Sequence, residues 1–251
     1  MKFLAALSFL TVIPMPRRRV VSPEQLGSSI VCFPVVGIIV GLILAGLYWL
    51  LHLVLPSAVV SGLLLICLVG LTGGLHLDGF VDTCDGIASR QTPEARREVM
   101  RDSRAGALGM VGVCCLLIVK YVSLNSVPEN LMMMTLVLMP VVSRWAMVYA
   151  IFAHPYARPS GLGKVFKEAA SRRRLAIATL VALVVVFALA RLPGFVIMLG
   201  VWAIVVAMAA YLKGKFSGLT GDTYGAINEV AEVSVLILVC LLAYNHWLGL
   251  A

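Results

Sequence analysis

The chain has 251 residues, of which 61% are hydrophobic and only 13% charged, roughly half the charged share of a soluble domain. So few charges cannot dress a water-facing surface, which excludes a soluble globular protein and leaves an all-α polytopic integral membrane protein. The net charge of +8 calls for no nucleic-acid partner, because membrane topology and anionic lipid headgroups account for it.

The opening run, MKFLAALSFLTVIPMPRRR, has a lysine ahead of an apolar stretch, as a signal peptide does. It stops at Pro14 and Pro16 with Arg17, Arg18 and Arg19 beyond and no A-x-A-like site between, so an uncleaved, short interfacial helix is expected. About seven transmembrane helices follow, over residues 30–55, 57–75, 107–124, 131–152, 175–189, 193–212 and 230–250, each near the roughly 20 residues that a bilayer requires. The runs are continuous, whereas a transmembrane barrel would show alternating segments of about ten residues. Gly37 with Gly41, and Gly106, Gly109 and Gly112, read as close helix packing. The methionines of the run 131–134 read as lipid-facing or core packing. The six cysteines include no CxxC pair, and neither structural zinc nor a disulfide framework is expected.

Charge orients the spans. With the N-terminus inside, the inner segments hold Lys2 and Arg17 to Arg19; Arg90, Arg96, Arg97, Arg101 and Arg104; Arg158, Lys164, Lys167 and Arg172 to Arg174; and Lys213 and Lys215. These are 17 of the 20 basic residues, the asymmetry that the positive-inside rule favours. Lys120 and Arg191 fall outside, and Arg144 falls within a span.

Acidic residues are rarer and more informative. The segment GGLHLDGFVDTCDGIASR contains Asp78, Asp82 and Asp85, whose spacings of four and three put the carboxylates on one helical face. Three like charges so close repel unless a cation lies between them, and hard oxygen ligands suit Mg²⁺ shared with substrate phosphates. A solvated acidic helix end is the plain alternative. It is weakened because the chain has only 12 acidic residues and these stand at a membrane edge, where carboxylates are by default functional. Asp102, in MRDSRAGALG, joins such a site or caps a helix. Its neighbours Arg101 and Arg104 either grip phosphate oxygens or anchor the membrane edge.

A second acidic cluster, GLTGDTYGAINEVAEV, carries Asp222, Glu229 and Glu232, with Gly218 and Gly221 permitting a tight turn whose N–H groups reach phosphate. Between the clusters, HPYARPSGLGK exposes Arg158 and Lys164. His76, beside the carboxylates, is a candidate acid or base, and His154 a weaker one. Arg144 snorkels, pairs with a carboxylate or reaches substrate phosphate. Both clusters fall on the inner side and can fold together. The chemistry these residues suit is attack of a hydroxyl on a phosphoanhydride or phosphodiester at the membrane edge, assisted by Mg²⁺.

GGLHLDGFVDTCDG, MRDSRAGALG, SRWAMVYAIFAHPYARPSGLG and GLTGDTYGA, in that order and preceded by FLTVIPMP, resemble the signatures of the adenosylcobinamide-GDP ribazoletransferase family, also called cobalamin 5′-phosphate synthase. The resemblance implies a single membrane-embedded catalytic domain over 1–251 in the bacterial inner membrane, with the site facing the cytoplasm. It also implies Mg²⁺ as cofactor, and α-ribazole or its 5′-phosphate and adenosylcobinamide-GDP as substrates, with GMP released. The family's acidic motif falls on Asp78, Asp82 and Asp85, its DSR segment on Asp102, Ser103 and Arg104, and its late GD segment on Gly221 and Asp222. Phe80 and Cys84 stand where smaller or aliphatic residues are commoner in that family. A homo-oligomer or a biosynthetic complex is compatible with such a chain.

DGIASR also resembles part of the CDP-alcohol phosphotransferase motif, but the later glycine and paired aspartates are missing after Arg90. A lipid-alcohol phosphotransferase with a CDP-linked donor is therefore the alternative enzyme. A transporter would show inverted repeats and midplane sites, and the sequence has neither. The charge asymmetry gives a direct test of orientation. Cysteines introduced at positions 90, 165 and 215 should react with impermeant thiol reagent only from the cytoplasm, and those at 127 and 191 only from the opposite face. Labelling at 90 from outside would overturn the arrangement.

Overall fold

The computed structural model describes residues 1–14, 21–89, 92–102 and 104–247. Among them the regular elements are helical: α1 (Lys2–Leu10), α2 (Pro23–Ser28), a 3-10 turn (Ser29–Cys32), α3 (Phe33–Leu51), α4 (Ser57–Thr72), α5 (Leu75–Ala88), α6 (Pro93–Val99), α7 (Ala107–Asn125), α8 (Glu129–Ala153), α9 (Leu162–Ala169), α10 (Arg172–Phe216) and α11 (Gly221–Tyr244). Five helical runs are long and apolar enough to cross a membrane, or six if the bent pair α4 and α5 forms one span. The fold is thus polytopic and all-α.

Two expected spans take unexpected forms. The run at 57–75 is broken because Gly73 and Gly74 adopt left-handed angles, with φ of 60° and 70°, a conformation open to glycine without steric cost. The chain bends there by 90°, so α5 carries its aspartates away from the axis of α4. The runs at 175–189 and 193–212 belong to one helical stretch, α10, interrupted at Arg191. Beyond this break the chain turns back: a Cβ on Gly194 would lie 2.8 Å from Val186 O, and the rings of Phe187 and Phe195 are 6.0 Å apart. Residues eight apart in a straight helix are separated by about 12 Å, so the two arms of α10 pack as a hairpin.

α8 lies at the centre, with residues on all its sides buried, as expected for a helix that is apolar all round. Its closest partner is α3. A Cβ on Gly41 would sit 2.6 Å from Val137 Cα, and one on Gly37 would collide with Pro140 O, so backbone meets backbone along this seam. Pro140 lacks an N–H and leaves a gap in the helical ladder where α3 packs. Outward-facing Ile66, Val111, Ile118, Phe187 and Leu199 remain exposed, as a lipid-facing surface requires.

Basic residues close helix C-termini on one side of the molecule. Arg96 Nη1 donates to Gly86 O at 2.9 Å and Ile87 O at 2.5 Å, ending α5. Lys167 Nζ donates to Ile151 O and Phe152 O at 3.0 and 2.8 Å, ending α8. Arg97 Nη1 donates to Phe216 O at 2.6 Å, ending α10. Each satisfies carbonyls that a helix leaves free and opposes the negative end of its dipole.

The position of Lys120 corrects the reading from charge. Expected at the outer edge, it is buried between helices, with Nζ 2.6 Å from both Glu229 Oε2 and Glu232 Oε2. A count of basic residues along the chain cannot register a lysine whose partners lie on another helix.

The seam between α3 and α8 supplies a stability test. Gly41→Val should lower the melting temperature of the detergent-solubilised protein, through overpacking worth about 1–3 kcal/mol. Gly46→Ala, on the same helix but with open space around it, should be neutral or stabilising. Equal melting temperatures for the two variants would show that the seam tolerates a side chain.

Candidate active site

The two acidic motifs meet where α5 crosses the start of α11. Gly79 permits the contact: a Cβ there would lie 2.7 Å from Asp222 O and 2.9 Å from its Cα. The start of α11 is fixed by a capping box, in which Thr220 Oγ1 accepts from Thr223 N at 3.2 Å and Thr223 Oγ1 accepts from Thr220 N at 2.8 Å. Ahead of it, a parallel β-bridge joins Tyr156 to Leu219, with Ala157 N donating to Leu219 O and Leu219 N to Pro155 O, both at 2.8 Å. Gly218, at φ 142°, brings its α-carbon so near Pro155 and Ala157 that a side chain would crowd their backbone. The bridge carries Arg158 to Asp222, Nη2 to Oδ2 2.8 Å.

Two cavities flank α5. One, of ≈ 250 Å³, is lined on its polar side by His76, Asp78, Arg158, Gly221, Asp222 and Tyr224, and on its apolar side by Phe9, Phe33, Tyr156 and Phe166. The other, of ≈ 620 Å³ and wider open, is lined by Asp82, Asp85, Asp102, Arg104 and Gly106 among others. The acidic face of α5 therefore serves both.

The carboxylates are not equivalent. Asp85 caps α7: Oδ2 accepts from Gly106 N at 2.8 Å and Oδ1 from Gly109 N at 2.7 Å. Side chains at Gly106 and Gly109 would collide with this carboxylate, and one at Gly112 would lie 2.9 Å from Cys84 Sγ. The α7 glycines therefore admit α5 and its Asp85 as well as allowing close packing.

Asp102 accepts from Arg104 Nε and Nη2 at 3.0 and 2.7 Å, and that hydrogen bonding brings its carboxyl down to about 2. Asp78 and Asp82 accept no hydrogen bond among the described residues. Asp82 feels the negative charge of Asp222, Asp78 and Asp85 against the positive charge of Arg158. Among the described residues no three His, Cys, Asp or Glu side chains lie close enough to enclose a metal ion. The donor set nevertheless suits a hard cation that keeps part of its shell for water and phosphate: clustered aspartate oxygens, two of the carboxylates without partners.

Other candidates fall elsewhere. Arg101 pairs with Glu98 at 2.7 Å on the surface, and Lys164 Nζ donates to Pro159 O at 2.7 Å; neither lines either of these two cavities. Ser103 lies outside the described residues. His154 also lines neither cavity, and burial with nearby Lys213 and Lys167 lowers its imidazole below the usual value. Arg144 is fully buried and pairs with Glu232, whose other oxygen holds Lys120. His76 is buried too, its Nδ1 3.1 Å from Asn228 Nδ2, which also donates to Glu232 Oε1 at 3.2 Å.

The cobalamin-5-phosphate synthase family model matches residues 2–240. The chain belongs to that family. It is 35% identical to the adenosylcobinamide-GDP ribazoletransferase of Desulforamulus reducens, over 94% of each chain. It is 38% identical to that of Geotalea daltonii, over 94% of this chain and 95% of the relative. With that of Roseiflexus sp. it shares 35% identity over 95% and 88%. No solved structure matches.

In this synthase-family chain the sequence reading passed over Phe9, Phe33, Tyr156, Phe166, Tyr224 and Asn228. The aromatic residues come from five elements with no common motif. A signal was available for Tyr224 and Asn228, which stand two and six residues beyond Asp222 in the acidic segment.

The buried ion cluster generates a prediction. Arg144→Leu leaves one negative charge in excess and should cost about 3–5 kcal/mol, read as a lowered melting temperature in detergent. Arg144→Leu combined with Glu232→Leu leaves Lys120 paired with Glu229 and should be milder than either single change. Additive losses would show that the charges do not act as one unit.

Proposed function

We propose that the chain joins α-ribazole or its 5′-phosphate to adenosylcobinamide-GDP, giving adenosylcobalamin or its 5′-phosphate and releasing GMP. Membership of the synthase family and the named relatives support the reaction. The observation that carries it to these residues is the meeting of Asp78 and Asp82 with the Asp222–Arg158 pair across Gly79. A free secondary hydroxyl of the ribose attacks the phosphorus on the cobinamide side, since the 5′-oxygen keeps its phosphate when the 5′-phosphate is the substrate. The bond from that phosphorus to the bridging oxygen breaks, and GMP leaves with the electron pair.

Asp82, without a hydrogen-bond partner and surrounded by carboxylates, is placed to take the hydroxyl proton. Arg158 neutralises charge at the phosphates, and Arg104, at the wider cavity, meets the departing nucleotide. Asp78 and Asp222 are the residues we assign to Mg²⁺. When bound, the ion offsets charge on the phosphate oxygens. Asp85 positions the start of α7, and Asp102 orients Arg104.

Counting the two arms of α10 separately and the bent pair as one span gives seven crossings. With the basic loops inside, the N-terminus and the site face the cytoplasm at the inner membrane.

GMP release from adenosylcobinamide-GDP and α-ribazole, measured with the protein in nanodiscs, tests the reaction. Asp82→Asn and Asp222→Asn should each lower the initial rate on the order of 100-fold or more, while insertion stays normal. Together they should lose far less than the product of the two losses, since residues of one site are not additive. Asp222→Asn should also raise the Mg²⁺ needed for half activity. Fully multiplied losses with unchanged Mg²⁺ dependence would remove Asp222 from the site, and absence of GMP in the unaltered protein would remove the reaction.

A further inference from the structure

The aromatic cavity is enclosed by parts of the chain far apart in sequence. Phe9 of α1 packs on Phe166 of α9 with ring centres 4.7 Å apart, and Phe33 of α3 meets Phe166 at 5.5 Å. Tyr156 and Tyr224 face each other at 6.3 Å. Within this apolar lining, three polar groups are buried without a hydrogen-bond partner among the described residues: His76 Nε2, Tyr224 Oη and Arg158 Nε. A buried donor left unpaired costs about 1–3 kcal/mol, a cost that a ligand with a polar edge would offset on reaching one of these groups, while the aromatic walls suit a flat ligand. The cavity's ≈ 250 Å³ is below the roughly 300–1,000 Å³ of pockets for larger ligands. It suits a bicyclic ring and excludes a corrinoid.

The protonation of His76 follows from the groups behind it. Glu232 Oε1, a carboxylate oxygen, only accepts, so its 3.2 Å contact must come from the NH₂ of Asn228. The same NH₂ lies 3.1 Å from His76 Nδ1, which must then be the accepting nitrogen. The imidazole proton is therefore on Nε2. Arg144 and Lys120 in turn pair with the two oxygens of Glu232.

We propose that this cavity binds the benzimidazole base of ribazole, with His76 Nε2–H donating to the ring nitrogen that carries no sugar. The assignment rests on the proposed reaction and says where its nucleoside partner sits. The chain Arg144–Glu232–Asn228 sets the tautomer and so makes the site selective for a base with an acceptor at that edge. His76 is on this view a recognition residue and takes no part in proton transfer.

Equilibrium binding of dimethylbenzimidazole riboside and of its indole counterpart, in which the acceptor nitrogen is CH, tests the assignment by calorimetry on the full chain in nanodiscs. The unaltered protein should prefer the benzimidazole on the order of 100-fold or more, as sites built to bond a polar atom do. His76→Leu should bind both ribosides alike. His76→Gln, whose amide reaches with a donor to a similar point, should recover part of the preference. In parallel GMP assays the KM for the riboside should rise in His76→Leu while that for adenosylcobinamide-GDP stays constant. Equal binding of the two ribosides by the unaltered protein, or a preference surviving in correctly inserted His76→Leu, would overturn the assignment. If His76→Leu does not insert, the comparison in the unaltered protein and in His76→Gln decides. Because binding is read without turnover, a protein that binds selectively yet releases no GMP would refute the reaction and leave the base site standing.

Discussion

A charge inside an apolar bundle must be paired, and the pairing of Lys120 and Arg144 with Glu229 and Glu232 sets the register of the helices around the site. Lys120 belongs to α7, Arg144 to α8 and both glutamates to α11. Through Asn228 the cluster reaches His76 on α5. Sliding α11 along its axis by one turn would separate all these partners at once. Asp222 stands ten residues before Glu232, about 15 Å along the same helix. Fixing the glutamates therefore fixes Asp222 against Gly79, and an interior salt-bridge network positions the meeting of the two acidic motifs. Such clusters add little net stability compared with apolar packing; their contribution here is to exclude other registers.

Much of this was legible from residue types. The length of the apolar runs pointed to a polytopic all-α fold, though not to the form of each span, and the spacing of Asp78, Asp82 and Asp85 put them on one helix, because both follow from helix geometry alone. The scarcity of acids made it reasonable that Asp222 would join them. What escaped was whatever depends on an unseen partner. Asp85 looks like Asp78 in the sequence, yet its oxygens are taken by Gly106 and Gly109. Lys120 looked like an outer-edge anchor, and only the opposing face of α11 reveals it as buried. The glycine pair at 73–74 was visible, but a 90° bend and a flexible helix interior look the same in sequence.

The three named carboxylates of α5 illustrate how one helix face can be divided among tasks. Asp78 opens to the aromatic cavity with Asp222, Asp82 and Asp85 open to the wider one, and Asp85 is tied down by α7. A helix turn separates Asp78 from Asp82 by about 6 Å along the axis, so groups bound on the two sides of α5 can approach each other without sharing a pocket. One side is lined by aromatic rings, the other by Arg104 and small residues, and the physical demands of a flat base and a charged nucleotide differ in the same way.

The bend at Gly73 and Gly74 explains how such a face can exist in so apolar a chain. Had α4 continued straight, Asp78, Asp82 and Asp85 would have entered the hydrocarbon or projected from it on a free helix end, where carboxylates repel and take up water. Turning α5 across the bundle instead lays it against α7 and α11. The carboxylates then meet the N-termini of both helices, Asp85 at the start of α7, and Asp78 and Asp82 beside the start of α11 with Arg158. Positive helix ends and one arginine temper their repulsion without cancelling it. The carboxylates keep a surplus negative charge in partly dehydrated surroundings, and Phe9 of α1 with Phe166 of α9 lines the apolar side of the neighbouring cavity.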